Sequence, residues 1–139
     1  MARTRVETRA RARALQALYA WDMRGNQELA RVATQVWDDM SITPEERTVA
    51  GPIVRLVGQQ LASIDAQLVQ VTTNWRLERI GAIERCVLRI AAAELTIGET
   101  PPKVIIQESV TLAERYGSAA SAKFVNGVLD ALARKMGRM

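Results

Sequence analysis

Apolar residues recur along this chain at intervals of three and four positions. That spacing places side chains on one face of an α-helix, and no segment shows the alternation of apolar and polar residues that is typical of a half-buried strand. The pattern therefore predicts an all-α protein of about seven helices. Its breaks place the helices at about residues 5–24, 28–40, 44 onward, 63–73, 80–97, 102–115 and 119–136, with a short one that Asn74 caps and that contains Trp75 and Leu77.

The segment SITPEER contains the clearest helix start in the sequence. Thr43 is a good N-cap, because its hydroxyl can accept a hydrogen bond from a backbone amide of the first turn. Pro44 suits the first helical position, and Glu46 completes a capping box. The same helix is expected to kink or break near Gly51 and Pro52, because a proline inside a helix removes a backbone donor and clashes with the preceding turn.

The second half of the chain has equally clear helix ends. The segment from Ile80 to Ile97 is apolar nearly all round, which is typical of a helix in the middle of a bundle. Gly98 is predicted to end it, and Gly117 is predicted to cap the next helix. Asn126 and Gly127 disfavour the last helix, so the sequence predicts either close helix packing or a local polar contact at that point.

The excess positive charge of the chain is concentrated at one end. The 139 residues have a net charge of +4, and the first thirteen contain five arginines against Glu7 alone. The remaining residues contain fourteen basic and fourteen acidic side chains, so their charges cancel. A basic patch of this kind attracts polyanions, and it predicts nucleic acid as the partner. The alternative is a solvated terminal arm.

Most arginines of the first helix are predicted to lie on one side of it. At about 100° per residue, Arg5, Arg9 and Arg13 fall on one side with Gln16 beside them, opposite an apolar face. Arginine suits phosphate because its planar fork binds in two places and also stacks on bases. The side chains predicted to hold RNA from this segment are those of Arg3, Arg5, Arg9, Arg11, Arg13 and Gln16.

Arg11 lies on the apolar face of this helix, and Glu94 lies in line with the apolar residues of the central helix. A charge on a packing face needs a partner, so Arg11 and Glu94 are one candidate pair across helices. The alternative is that Arg11 extends beyond the core, while Glu94 reaches solvent or finds another donor.

Three aromatic or basic positions extend the predicted RNA surface. Tyr19 borders the basic side of the first helix, and Phe124 follows Lys123 near the start of the last helix. Readers of single-stranded RNA combine basic grooves with aromatic rings, because every base has a face on which a ring can stack. For any one of these rings, burial in the core is the alternative.

The composition argues against an enzyme, a cofactor or a metal site. The chain has no histidine and a single cysteine, Cys86, so soft-ligand zinc sites and nucleophiles paired with histidine are unavailable, and no glycine-rich phosphate loop is present. One cysteine fits a reducing compartment, and no apolar run approaches the ~18 residues of a membrane span. A transit peptide would also be arginine-rich, but Leu15, Leu18 and Trp21 continue the segment into a packed helix. We therefore predict a cytoplasmic binding protein.

Four stretches closely resemble the NusB family of bacterial transcription antitermination factors: ALQALYAWD after the arginine-rich start, IERCVLRIAAAEL, PPKVIIQESVTLAERYG and, most specifically, KFVNGVLD. The resemblance covers nearly the whole chain and implies a single domain over residues 1–139, all-α and built from two small helical bundles. It implies a non-catalytic protein that binds boxA, a short single-stranded element in the leader of ribosomal RNA transcripts. The implied partners are NusE, which is a small-subunit ribosomal protein, and the antitermination complex of RNA polymerase.

The resemblance also implies roles for individual residues. The family's arginine-rich motif falls on Arg9 and Arg11, and an adjoining element on Ala17, Leu18 and Tyr19. Its RNA-proximal positions near the C-terminal bundle fall on Tyr116, Lys123 and Phe124, and its NusE-facing acidic positions on Glu78 and Glu84. Glu7 and Thr8 depart from the pattern, because a familiar member has arginines there. Some members self-associate through the arginine-rich surface, so the resemblance leaves a monomer and a homodimer as alternatives for the free protein.

Two other functions fit parts of the sequence. The same domain occurs fused to ribosomal RNA cytosine methyltransferases, but here the chain has no cofactor-binding α/β segment. A purely protein-binding helical module, in which the arginines meet acidic partners, is the other alternative. Competition by heparin and excess RNA would distinguish it from an RNA-binding protein.

Overall fold

The computed structural model describes residues 5–25, 27–72 and 76–139. Seven α-helices and one 3₁₀ turn account for the regular structure of this part of the chain, which confirms the all-α prediction. The helices are α1 (Arg5–Arg24), α2 (Leu29–Met40), α3 (Pro44–Gln59), α4 (Leu61–Val71), α5 (Ala82–Ile97), α6 (Pro102–Tyr116) and α7 (Ala119–Lys135), with the 3₁₀ turn at Leu77–Arg79.

The chain divides into two compact units, Met1–Gln59 and Gln60–Met139. The first contains α1 to α3 and the second contains α4 to α7. Two small helical bundles are what the resemblance to the NusB family implies. That both units together form a single domain stays a prediction.

In the first unit, α1 packs against both α2 and α3. Its buried face includes Leu15 and Leu18, as the apolar side of the helical wheel predicts. Trp37 of α2 is buried too, and its indole Nε1 donates a hydrogen bond of 3.0 Å to the backbone carbonyl of Arg13. Because this bond satisfies the polar end of a large apolar ring, it fixes α2 against α1.

The start of α3 confirms the predicted capping box. The backbone amide of Glu46 donates to the Thr43 hydroxyl over 3.1 Å, and the Thr43 amide donates to the Glu46 carboxylate over 3.2 Å. The predicted break is wrong, because α3 continues through Pro52 to its end. Because Pro52 has no amide hydrogen, the carbonyl of Thr48 lacks its helical hydrogen bond. Both residues are exposed, so water can bind this carbonyl while the opposite face of the helix stays packed.

In the second unit, α5 contacts α4, α6 and α7, and residues 86–95 are all buried. The prediction of a central helix is therefore confirmed. The helix ends at Gly98, whose φ of 79° lies in the left-handed region and whose amide donates to the Glu94 carbonyl over 3.0 Å. The guanidinium of Arg138 donates to the carbonyl of Leu95 and so satisfies another group at this helix end.

The segment before α5 differs in detail from its prediction. Helix α4 begins at Leu61 instead of Ser63, because the Ile64 amide already donates to the Gln60 carbonyl over 2.9 Å. The predicted short helix capped by Asn74 and containing Trp75 falls partly outside the described residues, and Leu77 begins the 3₁₀ turn.

The boundary between α6 and α7 lies where RYGS predicts it. Gly117 caps α6, but its φ of −116° is not left-handed. A Cβ there would instead meet the Ala113 carbonyl oxygen at 2.8 Å and the Ser121 hydroxyl at 2.7 Å. Of the two alternatives predicted at Asn126 and Gly127, close packing at Gly127 is wrong, because a Cβ at that position would meet no described atom within 4 Å. A local polar contact stays a prediction.

Candidate nucleic-acid interface

The basic side of α1 is anchored to α3 by one carboxylate. The Nε of Arg9 donates to Oε2 of Glu46 over 2.8 Å, and the Nε of Arg13 lies 3.4 Å from Oε1. The side chain of Arg9 is nevertheless 48% exposed. Because a guanidinium has five N–H donors and this bond uses Nε, the terminal nitrogens of Arg9 can serve an acceptor in solvent.

The carboxylate of Glu46 is only 3% exposed. Burial by itself raises its pKa, but hydrogen bonds from Arg9, from the Thr43 amide and from Arg13 outweigh burial, so the pKa lies below its ordinary value of 4.5. Glu46 is therefore a buried, charged group that both caps α3 and accepts from two arginines of α1. Sequence reasoning identified the cap and missed the arginines.

Gln16 lies on the same side of α1, and Tyr19 lies at the border of that side. The Gln16 side-chain oxygen accepts from Nη1 of Arg13 over 3.3 Å, which gives Arg13 a second partner besides Glu46. The Tyr19 side chain lies at the surface, with 40% of the residue exposed. An exposed ring close in sequence to a row of guanidinium groups is the combination that binds single-stranded nucleic acid.

Arg11 does not belong to the exposed set, because it is only 3% exposed. This burial confirms its predicted place on the packing face and corrects the prediction that it contacts phosphate directly. Glu94 is buried too, so neither side chain extends into solvent. Both have polar or ionic interactions within the protein, and their pairing with each other stays a prediction.

The side chains of two further arginines in the predicted RNA-binding set lie outside the described part of the structure. Arg3 lies outside the described residues, and Arg5 begins α1 with its side chain outside the description. Their proposed contacts with phosphate therefore stay predictions that rest on the sequence.

A second group of predicted RNA-binding residues lies in the other unit, around the turn between α6 and α7. Tyr116 and Lys123 are exposed, and Phe124 is half-buried. Ser118 caps α7 by accepting a hydrogen bond of 3.1 Å from the Ser121 amide, so the start of the helix that carries Lys123 and Phe124 is well defined.

The two acidic positions predicted to face NusE differ in their surroundings. Glu78 is exposed on the 3₁₀ turn, whereas Glu84 is half-buried in the first turn of α5. One carboxylate oxygen of Glu84 accepts a hydrogen bond from the Ser121 hydroxyl, which joins the start of α5 to the start of α7. Sequence reasoning missed this contact, since 37 residues separate the two partners.

The described residues predicted to bind RNA at the surface thus form two sets, one in each unit. The first unit contains Arg9, Arg13, Gln16 and Tyr19 of the predicted RNA-binding set, and the second contains Tyr116, Lys123 and Phe124.

No helix in the described part of the chain is both long enough and apolar enough to cross a bilayer.

The sequence model of the NusB family matches residues 8–134 of this chain. The chain belongs to the NusB family. It is similar to the transcription antitermination protein NusB of Sorangium cellulosum, with 43% identity over 130 residues that cover 93% of this chain and 92% of the relative. The corresponding protein of Anaeromyxobacter dehalogenans is 43% identical over 129 residues, which cover 91% of this chain and 89% of that protein.

The fold of this chain is also similar to that of a NusB chain in a solved structure. A chain in the crystal structure of the antitermination factors NusB and NusE in complex with dsRNA superposes on this one with a TM-score of 0.86 at 27% identity. The superposition covers 96% of this chain and 99% of the other. Membership of the NusB family confirms the prediction of a non-catalytic antitermination factor.

Proposed function

We propose that this antitermination factor is cytoplasmic and binds single-stranded boxA RNA of ribosomal RNA transcripts together with NusE. The resulting complex helps RNA polymerase to resist termination. The observation that carries the proposal is the exposed guanidinium of Arg9 on the same helix as the exposed ring of Tyr19, in a chain of the NusB family. The related crystal structure, which contains NusB, NusE and RNA, supports the same partners.

The arginines of α1 supply affinity for the RNA backbone. Each guanidinium that neutralises a phosphate releases condensed counterions, and this release favours binding to any RNA sequence. Arg9 contributes more than Arg13, because its side chain is 48% exposed against 26% for Arg13, whose terminal nitrogen Nη1 is also engaged by Gln16. Arg3 and Arg5 extend the same contacts toward the start of the chain.

The aromatic side chains supply the preference for particular bases. Tyr19, Tyr116 and Phe124 stack against unpaired bases, while Lys123 holds the phosphate next to Phe124. Stacking of a base on an aromatic ring contributes about 1–3 kcal/mol, so these contacts decide how tightly an unpaired strand binds. Duplex RNA keeps its bases stacked on one another, so it contacts the basic side chains without stacking on these rings.

The acidic positions bind NusE. Glu78 is exposed and can pair directly with a cationic side chain of the partner. Glu84 contributes from the first turn of α5, where its carboxylate is already oriented by Ser121. Charge pairs at the rim of an interface mainly accelerate association, so a Glu78→Gln variant is expected to bind NusE more slowly.

The decisive experiment is a gel-shift titration with boxA-type RNA and a scrambled single strand, with and without NusE, at two salt concentrations. We expect the boxA-type RNA to bind more tightly than the scrambled strand and NusE to strengthen the difference. Duplex RNA of the same sequence serves as a competitor, because the related complex contains dsRNA.

Equal affinity for both single strands would contradict the proposed boxA specificity. If neither RNA bound the protein at either salt concentration, the basic end would not be an RNA site and the protein-binding module would be the better description. Sedimentation of the free protein at two concentrations tests self-association, and RNA should dissociate a homodimer formed through the arginine-rich surface.

A further inference from the structure

The carboxylate of Glu46 serves two unrelated structural tasks at once. It accepts from the Thr43 amide over 3.2 Å, which is the capping task, and from the Nε atoms of Arg9 and Arg13 over 2.8 and 3.4 Å. All four residues belong to the first unit. The two arginines are the described basic side chains of α1 that the proposed function assigns to RNA.

Capping alone does not account for the burial of Glu46. A capping-box acid needs only to reach the N-cap amide, which does not require its carboxylate to be buried. Glu45, one position earlier on the same first turn, is exposed. A side chain that is 3% exposed and charged must be compensated by donors, and the two arginines supply donors beyond the Thr43 amide.

The arginines in turn need an acid between them. Arg9 and Arg13 are four residues apart on one helix face, where like charges repel. A flexible arginine also loses rotamer freedom when it is fixed on a ligand. A carboxylate that holds both Nε atoms reduces the repulsion and fixes the side chains before any ligand arrives.

We propose that Glu46 is a positioning residue for RNA: it holds Arg9 and Arg13 by Nε, so that the terminal nitrogens of Arg9 face a phosphate in advance. This inference rests on the proposed function, because it assigns a role to Glu46 in the same RNA site. Glu46 itself does not contact RNA and acts only through the arginines.

The sign of the effect separates positioning from simple electrostatics. Removing a negative charge beside a basic strip by itself strengthens RNA binding, since the strip becomes more positive. Removing a positioning residue weakens it, because the arginines must then be ordered at the moment of binding. The Glu46→Gln variant keeps a side chain suited to the capping box while losing the charge that holds the arginines.

Glu45→Gln is the matched control, because it makes the same change of charge one residue away at an exposed position. We expect Glu46→Gln to weaken boxA-type RNA binding about three- to tenfold in fluorescence anisotropy. Glu45→Gln should bind as tightly as the unmodified protein or slightly more tightly. In an Arg9→Ala background, the loss caused by Glu46→Gln should shrink.

Glu46→Asp provides a second variant that keeps the charge but shortens the reach, and it should weaken binding as well. Thermal unfolding confirms that each variant is folded at the temperature of the titration. In the free protein, the NMR signal of the Arg9 Nε–H should exchange slowly with water and should exchange faster in Glu46→Gln.

Each outcome has a distinct meaning. If the unmodified protein binds RNA but Glu46→Gln binds as tightly as Glu45→Gln, the positioning role is refuted and the proposed function stands. If the unmodified protein binds no RNA, both are refuted. Weakening by Glu46→Gln with no change in Glu45→Gln supports the positioning role.

Discussion

Two ion pairs in the second unit have the same chemistry and different exposure. Arg89 of α5 donates through Nε and a terminal nitrogen to both carboxylate oxygens of Asp65 in α4, each over 2.9 Å, with side chains 9% and 25% exposed. Arg134 and Asp130 form a pair within α7, and both side chains are largely exposed. The first pair joins two helices, whereas the second lies along the surface of one.

We expect Asp65→Ala to lower the free energy of unfolding by about 2–3 kcal/mol, because it leaves a largely buried guanidinium without its two-pronged partner. Asp130→Ala should cost at most about 0.5 kcal/mol, since water screens an exposed pair. Urea denaturation of both variants measures the difference. Equal losses would mean that the Asp65 pair contributes no more than a surface contact.

The Glu46 carboxyl predicts a specific loss of stability in acid. Its pKa in the folded protein lies below the ordinary value of 4.5, so the folded state favours the charged form. The resulting stabilisation is complete above pH 4.5 and is lost as the pH falls below 4.5 and through the folded-state pKa. The free energy of unfolding of the unmodified protein should therefore approach that of Glu46→Gln as the pH falls from about 6 to about 3. A difference that stays constant over this range would contradict the assignment.

The half-buried ring of Phe124 tests how bases are recognised. Phe124→Ala should weaken binding of boxA-type RNA by about 1–3 kcal/mol, if the ring stacks on a base, and should weaken binding of a scrambled strand less. Phe124→Leu is the control, because it keeps apolar volume for packing and removes the aromatic face. Equal losses on both RNAs in a gel shift would refute the role in base recognition.

At the scale of helices, a glycine has a different effect at a helix end than in a helix interior. Gly98 ends α5 with a φ of 79°, which side chains rarely adopt, whereas Gly127 lies inside α7 with open space around it. Two glycines of the same sequence therefore have opposite energetic effects, because one is required by the backbone and the other only weakens its helix.

We expect Gly98→Ala to destabilise the protein by about 1 kcal/mol, since a Cβ is strained in the left-handed region. Gly127→Ala should stabilise it by about 0.5–1 kcal/mol through higher helix propensity. Thermal unfolding should give shifts of opposite sign. A loss of stability in Gly127→Ala would show that the open space is needed by a neighbouring group.

At the scale of the whole molecule, charge decides how RNA is approached. The net charge of +4 equals the excess in the first thirteen residues, so the rest of the chain contributes no net attraction. Such a distribution orients an incoming polyanion toward one end of α1 before any short-range contact forms. Affinity should consequently depend strongly on salt.

For a single strand, the logarithm of the RNA affinity should fall linearly with the logarithm of the salt concentration, and Arg9→Ala should reduce the slope by about 0.7. Arg31→Ala, at an exposed position of α2, removes the same charge outside the predicted site and should leave the slope nearly unchanged. Anisotropy titrations at four salt concentrations provide the measurement. Equal changes of slope would mean that only net charge matters.

Local patterns in the sequence predicted most of the helices and the clearest of their caps. Apolar spacing predicted the buried face of α1 and the central place of α5, and SITPEER predicted the capping box at Thr43 and Glu46. These features depend on residues within about four positions of each other, which is the range over which helical geometry acts. The family was indicated separately, by the four stretches that resemble it and most specifically by KFVNGVLD.

Contacts between distant parts of the chain were decided only by the tertiary structure. Glu46 meets Arg9 across 37 positions and Arg13 across 33, so the acid that organises the basic row looked like a simple cap in the sequence. The burial of Arg11 turned a predicted phosphate contact into an interior charge, and the packing of α3 carried its helix through Pro52. In each case a partner brought close by folding outweighed the local preference, and no local pattern records which partner that is.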